Sequence, residues 1–144
     1  MAKHLNSVKT ESAPNRGYHH GALRPALIEA AEALIAERGL DRFSLRETAR
    51  RAGVSPAAPA HHFGDARGLL TAIAPAGFVE LGDVLEAADS SVSDRAGRIR
   101  AQGLAYVSFA LRQRAKFDLM WRAALLDKSD PGFEAAGQRA FALL

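Results

Sequence analysis

Residues 44–63 read SLRETARRAGVSPAAPAHHF, and this stretch decides the fold. Ser44-Leu45-Arg46-Glu47 is a capping box. The Ser44 hydroxyl is placed to accept from the Glu47 backbone N–H, and the Glu47 carboxylate to reach back to that of Ser44. The helix that follows buries Leu45, Ala49 and Ala52 on one face and stops at Gly53. A second helix then starts almost at once, with Ser55 as N-cap and Pro56 at the first helical position, and runs through Phe63. Two short helices joined by Ala52-Gly53-Val54-Ser55 make a helix-turn-helix. Gly53 tolerates the positive φ that the turn needs, and Ala49 and Ala52 let the helices cross closely. Val54 and Phe63 fix the second helix to the domain and leave its other face free for a major groove.

The flanking sequence continues the helical pattern. Leu27, Ala31, Leu34 and Ile35 form one apolar stripe, which predicts a first helix over 23–38. Pro25 suits its first turn, Gly39 closes it in the left-handed conformation, and Leu40 packs back on its last turn. Gly64 or Asp65 opens a longer helix with Leu69, Leu70, Ile73, Phe78, Leu81 and Leu85 on its buried side and a kink expected at Pro75. The polar residues 89–94 break this pattern and mark the clearest boundary. Beyond them, Ile99, Gly103, Tyr106, Val107 and Ala110 are spaced for one helix, and 119–126 for another. Asp130-Pro131-Gly132 makes a turn before a last amphipathic piece that ends at Leu144. No segment alternates as a strand, so the fold expected is all-α.

Composition narrows the function. The chain has 144 residues, no Cys and a formal net charge of +3. Disulfides and thiolate metal sites are therefore excluded. Residues 1–67 hold ten Lys/Arg against seven Asp/Glu, whereas residues 68–144 hold nine of each. The basic excess thus lies in the first half, which points to a polyanionic partner for that segment, duplex DNA being the commonest. The start, MAKHLNSVKTESAPNRG, lacks the apolar core of a secretory signal, and no run approaches the ~18 consecutive apolar residues of a membrane span. A cytoplasmic protein without membrane attachment is expected. No nucleophile–base pair, Gly-rich phosphate loop or paired carboxylate set suggests an enzyme. His19-His20 and His61-His62 are adjacent pairs, which point in different directions on a helix, and no carboxylate cluster completes a metal shell. No cofactor is implied.

At this point the residues resemble a known family. The run from Leu27 to Leu70, with AAEALIAERGLDRFSLRETARRAGVSPAAPAHHFGDARGLL, is similar to the DNA-binding domain of TetR/AcrR-type regulators. The upstream RGYHHGALR and downstream LAYVSFALRQRAKFDLMW resemble a subgroup named for a C-terminal WHG motif. The resemblance implies an N-terminal three-helix helix-turn-helix DNA-binding domain and a helical effector and dimerisation domain. It also implies a homodimer on a pseudo-palindromic operator, with repression relieved by a small apolar ligand; two-fold symmetry sets half-sites one or more helical turns apart. The organisation expected is a disordered basic arm over 1–16, the DNA-binding domain over 17–66, and the effector domain over 67–144 with 67–88 as its linker helix.

Carried onto this chain, residues 55–62 form the recognition helix: Ser55, Pro56, Ala57, Ala58, Ala60, His61 and His62 are the candidate duplex-facing residues. Ser55 and His61 are read as groove or phosphate contacts, and Ala57 and Ala58 as partners for thymine methyls. Ser44 and Arg46 sit where the family contacts phosphate, and Arg16 and His19 are placed to track the backbone. Arg46, Arg50 and Arg51 together are read as a basic patch beside the duplex. Tyr106, Phe109, Phe117, Met120 and Trp121 are the candidate ligand-binding residues, with a plain aromatic core as the alternative.

The chain departs from the family pattern in places. Ala60 replaces an aromatic that often meets the DNA backbone, and Ala66 replaces a Lys at the start of the fourth helix, where Arg67 is the substitute. Ala22 replaces a capping Asp, a loss of order 1 kcal/mol. Pro59 removes the first intrahelical bond of the recognition helix. Family members are generally longer, so a C-terminally shortened member is expected, with Phe133, Phe141, Leu143 and Leu144 short of partners. Ala60, Ala66 and the short C-terminus also motivate a second reading: an interaction or decoy protein that does not act on DNA alone.

Overall fold

The computed structural model describes residues 20–144, and helix is the only regular secondary structure among them. In chain order the helices are α1 (His20–Arg38), α2 (Leu45–Ala52), α3 (Ala58–Phe63), α4 (Ala66–Ser90), α5 (Arg95–Arg112), α6 (Arg114–Trp121) and α7 (Pro131–Phe141). Short 3-10 turns follow α1 (Leu40–Arg42) and α6 (Ala123–Leu125). The arm expected over 1–16 lies outside the described residues.

Helix α4 is the spine. Its 25 residues carry Leu69, Leu70, Ile73, Phe78, Leu81 and Leu85, all buried as their spacing predicts. Leu69, Leu70 and Ile73 join Ala31 and Ile35 of α1, Leu40, Leu119 and Leu126 in one core cluster. Further along, Phe78, Leu81 and Leu85 join Phe109, Met120 and Ala140 in a second. Five other helices touch α4, namely α1, α3, α5, α6 and α7. By length and a mean hydropathy of 1.4 it is the one helix among the described residues that matches a membrane span, and 56% of that apolar window is buried against its neighbours. α4 is continuous through Pro75. One turn back, the Thr71 hydroxyl accepts from the Asp127 backbone N–H at 2.9 Å, which ties the segment after α6 to the spine.

Side-chain caps fix four starts. Ser44 accepts from the Glu47 N–H at 3.1 Å, Asp65 from Gly68 at 2.8 Å, Asp94 from Gly97 at 2.8 Å and Asp130 from Phe133 at 2.9 Å. The polar break at 89–94 is accordingly the α4–α5 turn, closed by Asp94 and by Arg98 donating to the Val92 carbonyl at 2.9 Å.

Four local expectations change. Helix α1 extends to His20, so Ala22 lies inside it rather than at its cap, and Pro25 sits past the first turn, where it removes the bond to the Gly21 carbonyl. Gly39 has the expected positive φ of 78° but an extended ψ of 166°, so it is not left-handed helical, while Leu40 is buried against Ala31 and Ile35 as its position predicts. The segment read as one helix over 119–126 is the end of α6 followed by the Ala123–Leu125 turn, which puts Leu126 into the first core cluster. The C-terminal apolar residues mostly find partners within the chain. Phe133 and Phe141 pack their rings on Phe78 at 5.5 and 6.0 Å, and Leu143 packs on the second cluster; Leu144 is exposed.

Candidate nucleic-acid interface

The α2–α3 elbow is built by a few backbone devices. Gly53 takes the left-handed conformation at φ 68° and ψ 33°, and its N–H bonds back to the Ala49 and Arg50 carbonyls. After it, residues 54–57 form a turn, and α3 begins only at Ala58. Ser55 is therefore not the side-chain N-cap expected from its position. The reason is Pro59: it has no N–H to give the Ser55 carbonyl, so that carbonyl accepts from Ala58 in a tighter turn at 3.1 Å, and α-helical bonding starts with His61 donating to Ala57 at 3.0 Å. Pro59 also does what sequence reasoning assigned to Val54 and Phe63 alone. It is the fully buried residue of α3 and pins the helix to the domain. Its place four residues after Ser55 was the available signal.

The opposite side of the elbow faces solvent. Ser55, Pro56, Ala57, Ala60 and His61 are exposed, while Ala58 and His62 are half-buried at its margins. The His61 and His62 rings meet edge to face at 5.5 Å. This outward face is small and has no Lys, Arg, Asp or Glu; it offers one imidazole and one hydroxyl. Ser44 and Arg46 are exposed at the start of α2. Arg16 and His19 lie outside the described residues.

Only part of the basic patch is available to a duplex. Arg51 forms a two-pronged pair with Glu37 at 2.6 and 2.7 Å. Glu47 accepts from both Arg50 and Arg38, the latter at 3.2 Å. The Glu47 carboxylate is thus spent on arginines rather than on the Ser44 N–H, so the capping box closes on its serine side alone. The Arg51 hydrogen bond holds the Glu37 carboxyl below the usual carboxylate range, and Arg50 does the same for Glu47. The Arg46 and Arg42 side chains make no ion pair or hydrogen bond among the described residues and stay exposed. Arg67, the substitute expected for a helix-opening Lys, instead donates to the Ala124 carbonyl at 3.2 Å. The neighbouring position on a helix is turned by about 100°, and here that turn aims it at the segment after α6. Arg24 was missed by sequence reasoning; it stacks on the Phe63 ring at 4.4 Å beside the end of α3.

The five candidate ligand residues do come together, around Phe78. Tyr106 and Phe117 lie 5.6 Å apart, Phe117 and Trp121 6.0 Å, and Trp121 and Phe78 6.3 Å. Phe109 and Met120 are buried beneath them. The cluster is packed core on one side and solvent-facing at Trp121, which is 45% exposed.

Comparison with known proteins follows this geometry. Residues 27–73 match the family of bacterial regulatory proteins of the tetR type. A solved protein of unknown function from Rhodococcus sp. RHA1 is 40% identical, with a TM-score of 0.72 over 90% of this chain and 67% of its own. A TetR family transcription regulator from Marinobacter aquaeolei VT8 shares the fold at a TM-score of 0.60 and 23% identity, over 85% of this chain and 65% of its own. This chain therefore spans about two thirds of the length of either relative. Among the curated proteins nothing matches.

Proposed function

We propose that this chain, whose residues 27–73 match the tetR family of bacterial regulatory proteins, is a DNA-binding regulator of transcription and a ligand-responsive repressor. It binds a pseudo-palindromic operator as a homodimer in the cytoplasm, at the nucleoid, and an apolar effector releases it. The observation that carries the reading is the elbow itself. Pro59 is buried, and Ser55, Pro56, Ala57, Ala60 and His61 stand outward from it. A rod held on one side and bare on the other is the shape that enters a major groove. Its small surface, without Lys, Arg, Asp or Glu, fits close approach to base edges and methyl groups, and the exposed Arg46 and Arg42 are the candidates for phosphates. Under this reading residues 17–66 act as the DNA-binding domain, 67–88 as the linker helix and the rest of 67–144 as the effector domain, with the 1–16 arm and Arg16 and His19 adding backbone contacts. Tyr106, Phe109, Phe117, Met120 and Trp121 are the candidate effector contacts.

A salt titration of duplex binding tests it. Log affinity falls steeply and linearly with log salt if phosphates are neutralised. A flat response, or no binding at low salt, discards the proposal.

A second reading draws on the cations already committed. Arg50, Arg51 and Arg67 are engaged within the chain, and Ala60 and Ala66 add no contact. Under it the chain acts as an interaction or decoy protein, pairing with a longer relative. Light scattering with size exclusion separates the two: a stable dimer with operator affinity counts against the second.

A further inference from the structure

A cleft of about 410 Å³ lies between α1 and the elbow where α5 turns into α6, lined by none of the residues of the duplex-facing side or the aromatic cluster. Its walls are apolar: Ala36 from α1, Ile73 from the spine, and Ala115 and Leu119 from α6. Arg112 and Arg114, both exposed, also line it, and neither side chain makes an ion pair or hydrogen bond among the described residues. The third cation there, Lys116, is paired with Glu80. The volume falls within the range of about 300–1,000 Å³ in which small-molecule sites occur. A second cavity of about 550 Å³ shares Ile35, Ala36, Arg114 and Ala115 with it, so the groove continues along the seam towards Asp41.

We propose that this cleft binds an apolar monocarboxylate, its tail against Ala36, Ile73 and Leu119 and its carboxylate between Arg112 and Arg114. A guanidinium grips a carboxylate with two parallel hydrogen bonds, and here two guanidinia border an apolar wall with no acid engaging either. Glu32 also lines the cleft and is bridged to neither arginine among the described residues. A second carboxylate at the far end of the tail would lose its hydration against the apolar wall, so a dicarboxylate is refused. The consequence for regulation rests on the proposed DNA-binding role: α1 carries the recognition unit and the α5–α6 elbow does not, so a bound tail wedges one against the other.

Calorimetry without DNA tests the site. Decanoate, decanol and sebacate are titrated into the wild-type chain, into R112Q/R114Q, and into A36W, whose indole fills the cleft from an exposed position. The proposal expects one decanoate per chain and at least tenfold weaker binding of decanol and sebacate. It expects at least a tenfold loss of decanoate affinity in R112Q/R114Q with decanol unchanged, and no saturable binding in A36W at unaltered far-UV circular dichroism. Absent decanoate binding, decanol binding as tightly as decanoate, or wild-type affinity in R112Q/R114Q each overturns it. R112Q/R114Q keeps the test decisive should A36W misfold. Because no DNA is present, a protein that binds decanoate but no duplex refutes the regulator reading and leaves the site standing.

Discussion

The α2–α3 elbow and helix α5 are built on opposite terms. The elbow helices have 8 and 6 residues, too short to persist alone, yet their geometry is fixed by Ser44, Gly53 and Pro59 and by packing on α1 and α4. Helix α5 has 18 residues and an Asp94 cap, yet it keeps an apolar stripe in water. Ile99, Leu104, Val107 and Leu111 are 62%, 65%, 55% and 76% exposed. Punctuation residues specify a conformation whatever lies around them. Apolar spacing specifies only that a helix has an apolar side, and which side is covered depends on what packs against it.

The contrast is broken or sharpened by substitution. The largest effect separates buried from exposed leucines. Leu69→Ala in the spine, at 0% exposure, lowers unfolding stability by about 2–5 kcal/mol, while Leu111→Ala on α5 stays within about 0.5 kcal/mol. Urea midpoints at constant slope measure both, and equal costs would erase the distinction. Next, Gly53→Ala forces a Cβ into a left-handed residue and costs about 1–2 kcal/mol, with duplex affinity falling further than stability because the elbow angle shifts. Equal melting temperatures for variant and parent would count against the turn as the deciding device.

The smallest effect is a pH dependence. Glu37 and Glu47 titrate below their unfolded values of about 4.3, so the stability they contribute is present above that pH and is lost as pH falls through the lower folded values. Thermal melts between pH 6 and pH 3 should show a shallower acid limb in the E37Q/E47Q double variant than in the parent. Parallel limbs would mean that the pairs to Arg51 and Arg50 carry no stability. Both pairs are exposed, so the difference is small.

Much of this was legible in the sequence because it rests on local chemistry. The Ser44 cap, the Gly53 turn, the Asp65 start and all six spine residues follow from residue type and spacing. The misses involve competition between neighbours. Ser55 and Pro56 look like a helix start, but Pro59 four residues on withholds the N–H that would have begun α-helical bonding at Ser55. Glu47 looks like the second half of a capping box, but two arginines take its carboxylate. The side chain of Arg67 is drawn to a carbonyl 57 residues away, which spacing does not reveal. At the interface the outward residues of α3 were readable from the motif. That Arg46 and Arg42 are available, while Arg50 and Arg51 are held, required the fold.

The most direct test of the central claim places a negative charge on the outer face of α3. Ala57 is exposed and immediately precedes Ala58, so a carboxylate there favours the helix by its dipole and leaves the core untouched. The affinity of Ala57→Glu for a duplex selected from a random pool is measured beside that of the parent. The account predicts a loss of at least 100-fold with melting temperature and helicity unchanged. Parental affinity in the variant would contradict it, since a carboxylate carried into the groove of the parent's own duplex is repelled by the flanking phosphates.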